Sequence, residues 1–144
     1  MTQSGGWGQE PRCSFRGEMM GDHSVAADAR GISREHQVQI RLMQALAQAV
    51  AQGDDIAPLL AELSEYSRAH FLSEELLMRL YDYPDYDTHV HDHERMVEWI
   101  EALEARKEDC AAMAHAVQEL SAIFMRHIAS CDSNLHGFMS RLPS

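Results

Sequence analysis

An all-α fold follows from three observations: four segments carry apolar side chains at helical spacing, short links join them, and each apolar face holds at least one histidine. The arrangement this predicts is an up-down-up-down antiparallel four-helix bundle behind a flexible or loosely packed N-terminal arm. The 144 residues leave room for one domain.

Residues 1–31 are rich in glycine and polar side chains and lack an apolar period, so they read as the arm, with Trp7, Phe15, Met19 and Met20 as side chains that could dock. The bundle domain spans 32–144. Ser33 is a favoured N-cap, and His36, Ile40, Met43, Ala47 and Val50 follow on one face until Gly53 closes the first helix. Asp54 and Asp55 can cap the second helix, about 55–81, where Pro58 is tolerated in the first turn. Its inward face is Leu59, Leu63, Tyr66, His70, Glu74, Leu77 or Met78, and Tyr81. Tyr83 and Pro84 stop it. His89, His93, Met96 or Val97, Ile100 and Leu103 trace the third helix to about 107. Glu104, Arg106, Lys107, Glu108 and Asp109 form a solvated junction, after which Met113, Val117, Leu120, Phe124, His127 and Cys131 line the fourth. Met43, Met78, Met96, Met113 and Met125 read as core filler.

Twelve basic residues against 23 acidic ones give a formal charge of −11, which repels phosphate backbones and anionic lipid surfaces, so neither nucleic acid nor membrane is an expected partner. No apolar run approaches the roughly 20 residues of a membrane span. The first 30 residues carry neither a secretory nor an organelle-import pattern, and a cytoplasmic location is expected. Cys13, Cys110 and Cys131 are odd in number and scattered, so free thiols are expected; Cys131 reads as a packing residue.

Nine histidines are the compositional outlier. One histidine on a core face is ordinarily structural. Burying His36, His70, His89, His93 and His127 in one small core without a common partner would strand polar nitrogens at about 1–3 kcal/mol each. A shared metal removes that penalty. His70 and Glu74 are four apart, as are His89 and His93, and residues i and i+4 stack on one helix face. Asp132 fits less easily: five residues from His127 is about 140° around an ideal helix, so a π-bulge or loosened turn is required to bring both to one centre. Five imidazoles and two carboxylates exceed a zinc site and suit two carboxylate-bridged iron ions. The Glu-x-x-His motif of ferritin-like bundles is absent. His91 lies roughly 200° from its neighbours and should face solvent; His23, His115 and His136 read as surface residues.

The segments HFLSEELLM at 70–78, YP at 83–84, HVHDH at 89–93 and HIASCD at 127–132 together resemble the bacterial hemerythrins, over residues from about 32 to 139. That resemblance implies a four-helix bundle with a non-haem di-iron centre, oxo- or hydroxo-bridged, that binds O2 reversibly for storage, delivery or sensing. It implies that His36 and His70 ligate the iron with an open position, that His89, His93 and His127 ligate the saturated one, and that Glu74 and Asp132 bridge them. Ser33, Ile123 and Leu135 depart from the family's usual Asp, Trp and aromatic at those places. Phe71, Leu77, Met78 and Phe124, one residue or one turn from ligands, are the expected wall of the O2 pocket. A carrier rather than an enzyme is expected. The alternatives are a redox- or O2-responsive regulatory module acting on a protein partner or output domain, and a di-iron peroxidase or oxidase. With an ordinary histidine pKa near 6.5, acid should cancel the stabilisation by metal at about pH 5.

Overall fold

The computed structural model describes residues 24–106 and 110–143. Helices α1 (Val25–Gln52), α2 (Ala57–Leu80), α3 (Tyr86–Ala105) and α4 (Cys110–His127) form the bundle; a π turn, Ile128–Asp132, joins α4 to a short α5 (Ser133–Ser140). Going round the bundle, α1 packs on α2, α2 on α3, α3 on α4 and α4 back on α1, while α5 rests on α1. Trp7, Phe15, Met19, Met20, Cys13 and His23 of the expected arm, and Lys107, Glu108 and Asp109 of the junction, lie outside the described residues.

The first helix begins nine residues before the expected start. Ser24, not Ser33, is its N-cap, accepting a hydrogen bond from the Ala27 amide at 3.1 Å. Ser33 sits in the third turn, where its hydroxyl bonds back to the Ala29 carbonyl at 3.1 Å. Gly53 ends α1 with φ 72°, a left-handed conformation that costs glycine little. Its amide reaches the Val50 carbonyl at 3.1 Å and the Asp54 amide reaches Ala49 at 2.9 Å, a Schellman closure. The α2–α3 link is tight: Asp82 adopts φ 52°, and the Tyr83 amide returns to the Met78 carbonyl at 2.8 Å. Arg79 then donates to the Tyr86 hydroxyl across the turn at 2.8 Å.

Two apolar clusters divide the interior. The larger gathers Leu46, Leu60, Leu63, Phe71, Met96, Ile100, Leu103, Leu120 and Phe124 among others; the smaller is Ile32, Met78, Tyr83, Leu135 and Met139. Along α2 the first ends at Phe71 and the second takes up at Met78, leaving Glu74 between them. Along the last segment Phe124 belongs to one and Leu135 to the other, with His127 and Asp132 between. The polar residues therefore occupy a layer sealed on both sides by hydrocarbon. Of the methionines expected in the core, Met43, Met78, Met96 and Met113 are buried, but Met125 is exposed, because one residue from inward-facing Phe124 is a rotation of about 100°.

Candidate metal centre

The donors arrive from four helices and the π turn, with their side chains turned into that layer. His36 comes from α1, His70 and Glu74 from α2, His89 and His93 from α3, His127 from the end of α4, and Asp132 from the π turn. The spacing of four on α2 and α3 needs only regular helix. The spacing of five from His127 to Asp132 needs the π turn, which inserts one residue and keeps both side chains on the inner face. All but His36 are buried, and His36 is 13% exposed.

Two groups of potential ligand atoms form, each with its members within 4.8 Å of one another: Glu74, His89, His93, His127 and Asp132 in one, His36, His70, Glu74 and Asp132 in the other. Glu74 and Asp132 belong to both. Glu74 Oε1 lies 3.2 Å from the Nε2 atoms of His70 and His93, and Oε2 lies 3.7 Å from that of His36. Asp132 Oδ1 is 3.0 Å from His89 and His127 Nε2, and Oδ2 is 2.8 Å from His36 Nε2. Every one of the seven residues read from the sequence is thus in the same layer.

The chemistry of this layer fits cations. The Nε2 atoms of His36, His70, His89 and His127, Glu74 Oε2 and both Asp132 oxygens are buried without an aligned hydrogen-bond partner, although they converge. Orphaned buried polar atoms of this number are costly in a folded protein. A cation between them turns each into a donor, and neutral imidazole with carboxylate suits a transition metal.

Among the protein groups by themselves, burial is the largest influence on His36, His70 and His89 and opposes their charge, but the carboxylates beside them outweigh it. Asp132 and Glu74 raise His36 and His89 to about 9, and Glu35 with Glu74 does the same for His70. Burial pulls Asp132 upward, yet His127, His36 and His89 hold it down at about 2. Glu74, likewise buried, is held well below the ordinary carboxyl range by four histidines.

Three carboxylates that sequence reasoning missed surround the cluster. Glu35 Oε2 lies 2.7 Å from His70 Nδ1, Glu75 Oε1 lies 3.1 Å from His93 Nδ1, and Asp92 Oδ2 lies 2.6 Å from His127 Nδ1. The available signal was their adjacency in sequence to His36, Glu74 and His93.

A cavity of about 220 Å³ reaches the centre at His36 and Asp132, between α1 and the π turn with α5. Ile32, Ile128, Leu135 and Met139 supply its apolar wall. None of the four residues expected to wall an O2 pocket lines it. Phe71 stacks on His93 at 4.2 Å between ring centres and faces Phe124, in the larger cluster; Met78 is buried in the smaller one with Leu77 against it. His91 and His115 are exposed beside Glu94 and Glu119, and His136 is an exposed residue at the cavity. Cys131 is half-buried, 3.8 Å from Asp92, and burial followed by the Asp92 charge raises its thiol pKa. No helix among the described residues is long and apolar enough to cross a membrane.

A family model, the hemerythrin HHE cation binding domain, matches residues 28–138. No curated protein and no solved structure matches the chain.

Proposed function

The chain belongs to the hemerythrin HHE cation-binding domain family, and from that premise we propose that its centre holds two iron ions and binds O2 reversibly. One observation carries the proposal: two donor groups overlap in Glu74 and Asp132, a geometry that serves a pair of cations and is superfluous for one. His89, His93 and His127 serve the cation with five protein donors; His36 and His70 serve the one with four, which leaves room for a further ligand on the side where the cavity arrives. A pair of ferrous ions supplies, when bound, the electrons that reversible O2 binding requires.

The protein's part follows from its side chains. Glu74 and Asp132 each present two oxygens in different directions, so their negative charge is shared across the centre. The imidazoles act as neutral donors, so His36, His70 and His89 surrender the protons that the carboxylates otherwise hold on them. Ile32, Ile128, Leu135 and Met139 give the approach to His36 an apolar wall that admits a small apolar molecule, while Ser33, Ser133 and His136 are the polar side chains beside it. Phe71, Leu77, Met78 and Phe124 fix the ligand-bearing helices from the two apolar clusters, and Phe71 stacks on His93.

Metal analysis combined with visible spectra taken without oxygen, in air and after purging tests the proposal. Two irons per chain and an absorption that appears in air and disappears on purging are expected. One iron per chain refutes the binuclear reading. Two irons with an irreversible spectral change refute the carrier reading, and repeated consumption of peroxide or substrate would then identify an enzyme.

A further inference from the structure

The outer carboxylates obey a rule that runs round the bundle. Glu35 precedes the ligand His36 on α1 but meets His70 on α2; Glu75 follows Glu74 on α2 but meets His93 on α3; Asp92 precedes His93 on α3 but meets His127 on α4. In each case one residue of offset turns the side chain about 100° from the centre and toward the next helix. The direction is the same three times. The fourth step, from α4 to α1, has no such carboxylate: among the described residues none contacts His36 Nδ1, and the cavity reaches His36 between α1 and the π turn with α5.

We infer that Glu35, Glu75 and Asp92 are positioning residues, a one-way relay in which α1, α2 and α3 each orient one metal-binding imidazole of the next helix, His70, His93 and His127; His89, whose Nδ1 is buried without a partner, stands outside it. An ionised carboxylate only accepts, so Nδ1 of His70, His93 and His127 must carry the proton donated to it. The Nε2 lone pair of the neutral ring is thereby aimed at the centre, and the ring cannot flip without breaking a charge-assisted bond, short at His70 and His127 and 3.1 Å at His93. The relay does not reach α1, so no carboxylate holds His36 Nδ1 on the side where the cavity meets the centre. The inference rests on the two-metal reading. It assigns Glu35 to the cation held by His36 and His70, and Glu75 with Asp92 to the other.

Anaerobic titration with ferrous ion, followed by equilibrium competition with a chelator, separates the two sites. Relative to a wild-type chain that takes up two equivalents, Glu35→Ala should weaken one equivalent about 10- to 100-fold and leave the other within about twofold. Asp92→Ala should do the converse. Asp92→Asn, whose amide oxygen still accepts from His127, should recover most of the loss. Helix content by circular dichroism should stay at the wild-type level in all three. Two equivalents weakened alike, unchanged affinities, or an Asn variant no better than Ala would each overturn the relay while leaving the binuclear reading in place. A wild-type chain taking up fewer than two equivalents would overturn both.

Discussion

Gln39 and Ser67, buried where α1 meets α2, form a polar contact inside hydrocarbon: the Gln39 amide donates to the Ser67 hydroxyl at 3.1 Å. Removing the hydroxyl leaves the amide without a partner, so Ser67→Ala should cost the metal-free protein about 1–3 kcal/mol. Urea unfolding measures it, as a lower midpoint with an unchanged slope; an unshifted midpoint would show that the amide finds another acceptor. The seven donor residues were legible only together, because five histidines on core faces demand a common partner where one alone does not, and Glu74 and Asp132 join them by spacing. Glu35, Glu75 and Asp92 were not, because a carboxylate beside a ligand looks like any solvated charge until the neighbouring helix is known. Met125 misled for a related reason: helical spacing drawn through methionines assumes the face it should test.

At the scale of elements, the π turn is what makes the centre possible. Deletion of Ala129, an exposed residue within it, restores a spacing of four between the last histidine and the aspartate but shifts the register of everything after it by about 100°. Asp132 would then have to choose between the layer and the packing of Leu135 and Met139. The deletion should reduce metal uptake below two equivalents while circular dichroism still reports a helical protein. Undiminished uptake would mean that a regular helix serves equally well. The turn was predictable, since an offset of five cannot share a face with regular geometry. The start of α1 was missed: Val25, Ala29 and Ile32 continue the period of His36 backwards and pack in the smaller cluster, within a stretch read as having no apolar period. Gly31 hid it, because a glycine within a period reads as an interruption.

For the whole molecule, stability and metal binding pull against each other as pH changes. His36, His70 and His89 are raised from 6.5 to about 9, so their contribution to the metal-free fold is complete below pH 6.5 and is lost as pH rises through 9. Asp132 is lowered from 3.8 to about 2, so its contribution is present above pH 3.8 and is lost as pH falls through 2. The metal-free protein should therefore be most stable between roughly pH 4 and 6.5, with a melting temperature that declines toward pH 9. Cations need those same imidazoles unprotonated. Iron uptake at pH 7 should release protons, measurable with an indicator in weak buffer, and the release should fade above pH 9. Absence of proton release at pH 7 would contradict the raised values. The competition also moves the acid sensitivity inferred from an ordinary histidine: the advantage of the metal form should begin to shrink below about pH 9, well before pH 5.

The order and period of the side chains determined that four helices would form and that five histidines with two carboxylates would share an interior layer, because both facts follow from residues three, four or five apart on one chain. Tertiary structure decided which carboxylates orient which imidazoles, which apolar side chains wall the approach, and that the approach lies between α1 and the π turn with α5. Those depend on how far one helix is rotated against the next, a quantity set by packing across the bundle that no local spacing records.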